Sequence, residues 1–269
     1  AFLEKVAVQN SEQPKGLNYA FKAPDAERLL KVRRAADSSE TVPETKDALN
    51  SEIRKKRLDF FFDNTLQVTA IGYRLLEHMD HGADTARVLP LLYVDLKSEY
   101  KSIYHTSQEK GVMVVGFLPG FGGEELPFQR GDELIKINGE RIDSEKEAAR
   151  VLAKLKDKKD ATVTFLQNDR EIDRQVPLLT IAREIPFAVK KEDAAVNAYA
   201  DMFGSITVTS GMLNFVRNQD ELAFVLAHEI GHLVVGTASH TRTGLMRPIW
   251  SRDELRRDRA SDWHFTPGD

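Results

Sequence analysis

Asn218-Gln-Asp-Glu-Leu-Ala-Phe-Val-Leu-Ala-His-Glu-Ile-Gly-His-Leu-Val-Val-Gly236 is the stretch on which the reading of this chain turns. Asn218 is suited to an N-cap, Glu221 stands at the third helical position as in a capping box, and Gly236 is suited to stop a helix. The spacing therefore predicts one helix running to about Val235. Leu222, Phe224, Val225, Leu226, Leu233 and Val234 make that helix apolar on most sides. Residues four apart lie one turn above each other, so His228 and His232 leave the same face and can meet one ion at about 2.0–2.1 Å. Glu229 is turned by about 100° from the first imidazole, which places it over a metal-held water rather than on the metal. Zinc lowers the pKa of such a water toward about 7, so a carboxylate can take its proton and pass it on. The bland reading makes these histidines core or surface groups, but two imidazoles and a carboxylate on a buried helix carry a desolvation cost that coordination explains.

Around this helix the chain has 269 residues, 41% hydrophobic and 30% charged, enough for a sizeable core and for two domains. The formal net charge of -4 gives no surplus of cations for a phosphate backbone, so nucleic acid is not an expected partner. The run Arg54-Lys-Lys-Arg57 reads as a solvated helix face. With no cysteine, disulfides, thiolate metal sites and a thiol nucleophile are excluded. No apolar run is long enough to span a bilayer, and the start at Ala1 fits a mature or trimmed form.

The first 46 residues, broken by Pro14, Gly16, Pro24 and Pro43, read as an arm. From Asp47 to about Met79, helix-like spacing of Ile53, Leu58, Phe61, Leu66, Val68, Ile71 and Leu75 predicts one long amphipathic helix or two, and residues 47–97 form a helical segment of the catalytic domain. Arg87 to Leu96 reads as a strand. Residues 98–181 follow a different grammar: a strand at Gly111 to Phe117, a turn at Pro119 to Gly123, and Arg130-Gly-Asp-Glu-Leu-Ile-Lys-Ile-Asn-Gly139. A helix at Ser144 to Lys156 and strands at Ala161 to Phe165 and Glu171 to Leu178 follow. Gly131 and Gly139 supply turn angles, and Asp132 and Asn138 can bond their own turn amides. This segment resembles a PDZ domain of the kind found in bacterial envelope proteases. The resemblance implies a groove that takes an extended peptide or protein C-terminus by strand addition.

From residue 182 to 269, Ala194 to Met202 reads as helix-permissive, Ser205 to Ser210 as a strand, and Gly211 to Arg217 as a turn or helix. Asn197-Ala-Tyr-Ala, then Gly204-Ser-Ile-Thr-Val-Thr-Ser-Gly211, then Asp220 to His232 resemble, in order and spacing, the zinc metallopeptidase family of the CAAX prenyl protease and HtpX type, a group of gluzincins. That resemblance implies zinc bound by His228 and His232, Glu229 as general base, and the strand at Ser205 to Ser210 aligning the substrate backbone. The family's third ligand is a glutamate in an ExxxD pattern, matched by Glu254-Leu-Arg-Arg-Asp258, with Asp258 orienting a zinc histidine; the frame Asp258 to Asp262 is the alternative. His240 lies too far from His232 for a metzincin pattern. His78, His81, His105 and His264 read as surface or capping groups. The catalytic domain stops short of the family's later helices, as after C-terminal truncation.

The expectation is an α+β protein: a mostly helical zincin domain with a small sheet, plus a PDZ-like β-sandwich. It would be a zinc endopeptidase with one ion per chain acting on protein or peptide substrates, placed by resemblance in a bacterial envelope, periplasmic or secreted. The rival expectation is a PDZ-type adaptor with an inactive or latent zincin-like domain.

Overall fold

The computed structural model describes residues 43–79, 85–122, 126 and 128–236. Helix α1 (Pro43–Glu77) is one unbroken 35-residue helix. Its apolar residues form no single stripe, because two different bodies cover it. Leu58, Phe62 and Leu66 enter a core with Tyr100, Met113, Val115 and Leu118. Farther along, Val68, Ile71 and Leu76 enter a second core with residues from the C-terminal part of the chain. At Gly72 an added Cβ would stand 2.2 Å from Cζ of Phe187, so only glycine lets α1 lie directly on that ring.

The single strand expected over Arg87 to Leu96 is two, β1 (Ala86–Val88) and β2 (Leu91–Asp95). Pro90 lies between them with no N–H for a ladder, and its carbonyl accepts from the Leu118 N–H at 2.9 Å. β1 pairs antiparallel with β8 (Leu179–Ile181), whereas β2 is the edge of a six-stranded sheet.

That sheet contains β3 (Val112–Phe117), β4 (Glu133–Ile137), β5 (Glu140–Arg141), β6 (Asp160–Gln167) and β7 (Arg170–Pro177), in the order β2-β3-β4-β6-β7 with β5 on β4. All its pairs are antiparallel. Two helices attend it, α2 (Ser98–Tyr104) and α3 (Glu145–Leu152). α3 lays Ala148, Val151 and Leu152 into a core with Val114, Leu134, Val163 and Phe165, while Met113 and Val115 face α1. The β4–β5 turn has positive φ at Asn138 (48°) and Gly139 (81°), the pattern of a type I′ hairpin. Asp132 bonds its own turn as expected, accepting from the Gln129 N–H at 2.8 Å. Asn138 instead accepts from Thr162 N–H on the facing strand at 2.7 Å.

The chain then forms β9 (Phe187–Lys190), β10 (Ala198–Ala200), β11 (Ile206–Thr209), α4 (Ser210–Phe215) and α5 (Gln219–Val235). The three strands are ordered β10-β11-β9, with β9 parallel and β10 antiparallel to β11. The helix-permissive reading of Ala194 to Met202 is corrected: three of those residues are β10, because pairing with β11 outweighs local propensity in so short a segment. Among the described residues the architecture is α+β with three sheets. No helix among the described residues is long and apolar enough to cross a membrane.

Candidate metal centre

α5 is capped where its sequence says it should be. The Asn218 side chain accepts from the Glu221 N–H at 2.8 Å, and the Glu221 carboxylate accepts from the N–H of Arg217, one residue outside the usual capping-box partner. Gly236 ends the helix at φ 69° and returns its N–H to the His232 carbonyl. Arg183 adds a bond to the Leu233 carbonyl at 3.2 Å.

At about 100° per residue, Leu222, Leu226 and Ile230 share one face of α5, and all three are buried in the core with Val68, Ala198, Ile206 and Val208. His228 and His232 project roughly 140° from the centre of that face, where they are only partly buried. Glu229 falls between the two faces, toward β10. Its carboxylate is buried, and its Oε2 accepts from the Ala200 N–H at 2.9 Å. Burial pushes the Glu229 carboxyl up to about 6, opposed by the Ala200 N–H and by the charge of His232.

The two imidazoles meet edge to face, with Nε2 atoms 3.2 Å apart. Two nitrogens bound at about 2.0–2.1 Å to one tetrahedral ion stand about 3.3 Å from each other, so the pair fits two corners of a zinc site. Among the described residues no group of three metal-ligating side chains forms. Glu254, expected as third ligand, and Asp258, expected behind it, lie outside the described residues, as do Asp262, His81, His240 and His264. His78 caps α1, its Nδ1 lying 2.8 Å from the Arg74 carbonyl, and His105 ends α2 at φ 56°.

Among the described residues β10 has no strand on its outer edge beside this site, whereas β11, expected to align substrate, is paired on both sides. Asp201 N–H bonds the Ser205 carbonyl and Thr209 N–H bonds the Asn197 carbonyl, so by antiparallel alternation Ala198 and Ala200 turn their backbone groups away from β11. The Ala200 N–H that holds Glu229 is one of these outward groups. Periodicity could not find it, because three residues carry too little alternation; Gly204, with φ 87° ahead of a β-branched run, was the available hairpin signal.

A capped helix that brings two imidazoles and a carboxylate together carries elements from which a metal site can be built, and comparison with known proteins finds likeness to metallopeptidases over this part of the chain. Residues 165–249 match the family described as Peptidase family M48, a match that ends ahead of Glu254. The chain is 38% identical over 55 residues to the mitochondrial metalloendopeptidase OMA1 of Arabidopsis thaliana, a stretch covering 20% of this chain and 11% of that protein. Among solved structures, the HtrA-type protease AlgW with decapeptide aligns with a TM-score of 0.33 at 12% identity, over 36% of this chain and 30% of that one.

Proposed function

We propose that this chain is a zinc-dependent endopeptidase that hydrolyses internal bonds of polypeptides. In this reading His228 and His232 hold the ion through Nε2, Glu254 is the third protein ligand, and Asp258 orients a zinc histidine. The observation that carries it is the 3.2 Å separation of the two Nε2 atoms beside a buried carboxylate. When bound, zinc supplies Lewis acidity to the attacking water and the scissile carbonyl. Glu229 has one oxygen tied to Ala200, which leaves Oε1 to take the water's proton and return it to the leaving amine nitrogen. β10 offers the outward N–H and C=O of Ala198 to an extended substrate by strand addition.

The six-stranded unit completes the proposal as a PDZ-type module drawn from residues 98–181 with β2 (Leu91–Asp95) added from the segment at 47–97, whose helix α1 begins earlier, at Pro43; a catalytic domain at 182–269 follows, and residues 1–42 of the arm expected at 1–46 lie outside the described residues. The Gly131-Asp132 turn leading into β4 supports this, as does β2, which among the described residues has no strand on its outer edge beside α3, where its Asp95 N–H donates to the Glu145 carboxylate. A bacterial envelope location belongs to the same proposal and is checked by cell fractionation.

Glu229→Gln is the test. We expect the variant to retain one zinc per chain, measured by plasma emission, and to lose casein and peptide cleavage by roughly two orders of magnitude or more. Full activity of the variant refutes the assignment. One zinc per chain with no cleavage by the parent protein leaves the adaptor with a latent zincin-like domain.

A further inference from the structure

Among the described residues, seven large apolar side chains are exposed, and four of them, Val196, Tyr199, Met202 and Phe203, fall within eight residues of sequence around β10. Met202 and Phe203 stand out at 89% exposure each. Isolated exposed apolar residues need no explanation, but two adjacent ones held in solvent by a fixed turn do. The turn is fixed by Asp201. Its Oδ1 accepts from the Phe203 N–H at 2.8 Å and the Ser205 N–H at 3.0 Å, and its Oδ2 accepts from the Ser205 hydroxyl at 2.5 Å. The backbone closes with Asp201 N–H to the Ser205 carbonyl and Gly204 N–H to the Asp201 carbonyl. These bonds fix the backbone that carries Met202 and Phe203.

The position of the pair is informative. Ala200 holds Glu229, and Met202 and Phe203 follow it by two and three residues, within about 10 Å along the chain at strand rise. A polypeptide that pairs with the outward groups of Ala198 and runs on past Ala200, whose N–H is taken by Glu229, comes into contact with them. We infer that Met202 and Phe203 are a specificity-determining contact for apolar side chains in the flank of an extended polypeptide substrate, displaced from the bond that is cut. This rests on the peptidase reading above. A bilayer is the other apolar occupant, and charge argues against it: hydrogen bonds from Ser205 hold the Asp201 carboxyl below its usual range, so the turn carries a negative charge at its base, on a chain of net charge -4. Anionic lipid surfaces repel such a turn, whereas a neutral extended chain does not.

The test measures binding without turnover. Full-length zinc-loaded Glu229→Gln protein is titrated into a fluorescein-labelled peptide with Leu and Phe in both flanks, and into a counterpart with Ser and Gly in their place. The same protein carrying Met202→Ser and Phe203→Ser is expected to bind the apolar peptide about tenfold more weakly and the Ser/Gly peptide equally well. Since both side chains stand in solvent, the thermal midpoint is expected to stay unchanged. An unchanged affinity for the apolar peptide, an equal loss for both peptides, or no preference in the parent overturns the inference. So does loss of co-sedimentation with phosphatidylethanolamine–phosphatidylglycerol vesicles while peptide affinity is intact, which reassigns the turn to lipid. If affinity falls as expected but protein with Glu229 intact cuts nothing, the contact stands and the hydrolase reading fails.

Discussion

Glu229 is the residue at which α5 and the small sheet are joined by a polar bond, and its partner decides what the neighbouring imidazoles can do. With Oε2 held by Ala200, the carboxylate cannot swing freely across the helix, and His228 and His232 keep a common focus beside it. His232→Ala leaves a single imidazole, so zinc affinity should fall by more than the roughly 10–100-fold that loss of an outer-shell partner costs. The check is zinc per chain after dialysis: about one for the parent, below about a tenth for the variant, with α-helical circular dichroism unchanged. Retention of stoichiometric zinc would remove His232 from the site. That His228 and His232 come together on one face was legible in the sequence, because a four-residue spacing on a helix fixes direction as well as distance. The role of Ala200 was not, since a backbone N–H carries no sequence signal and its direction depends on which strand pairs with which.

At the scale of elements, α5 and α3 begin in the same way. Asn218 and Ser144 accept from the N–H three residues on, and the glutamate at that third position, Glu221 or Glu147, reaches back to the N–H of Arg217 or Asp143. Such ends are legible because they are local. The link between α1 and the six-stranded sheet is not local. Arg130, in the turn before β4, donates to the Val115 carbonyl at 2.9 Å, to Asp59 at 2.9 Å and to Asp63 at 2.5 Å, and the Tyr104 hydroxyl donates to Asp59 at 2.8 Å. Nothing in the spacing of Arg130 to Asp59, 71 residues apart, announces that bond. Burial works against the Asp59 carboxylate, but hydrogen bonds from Lys55, Tyr104 and Arg130 outweigh it and hold its pKa below the ordinary value. A lowered native pKa contributes stability in full above the unfolded value of about 3.9, and that stability is lost as pH falls through the native value. Arg130→Ala should therefore cost about 1.5–3 kcal/mol at pH 7, and the gap between variant and parent should narrow as the pH is taken below about 3.9. Urea midpoints across that range are the measurement; a gap independent of pH would mean that Arg130 acts by packing over Phe62 rather than by charge.

For the whole molecule, the arrangement of cores says how far the effect of the metal should spread. α5 shares its core with β9, β10, β11, α4 and the second half of α1, whereas the six-stranded sheet has a separate core beneath α3. The two bodies meet through the β1–β8 ribbon and through the middle of α1, where Leu58, Phe62 and Leu66 pack on Met113, Val115 and Leu118. A ligand that binds only the folded form stabilises what unfolds together with its site, by about 2.7 kcal/mol at a hundredfold excess over its dissociation constant. Chelation of zinc should then lower amide protection over residues 198–235 and in the Val68–Leu76 part of α1, while residues 133–176 stay protected. Hydrogen exchange read by mass spectrometry, with and without chelator, resolves these segments. Equal loss of protection in both would mean that α1 is stiff enough to bind the two cores into one cooperative unit, and that occupancy of the metal site is felt at the outer edge of β2.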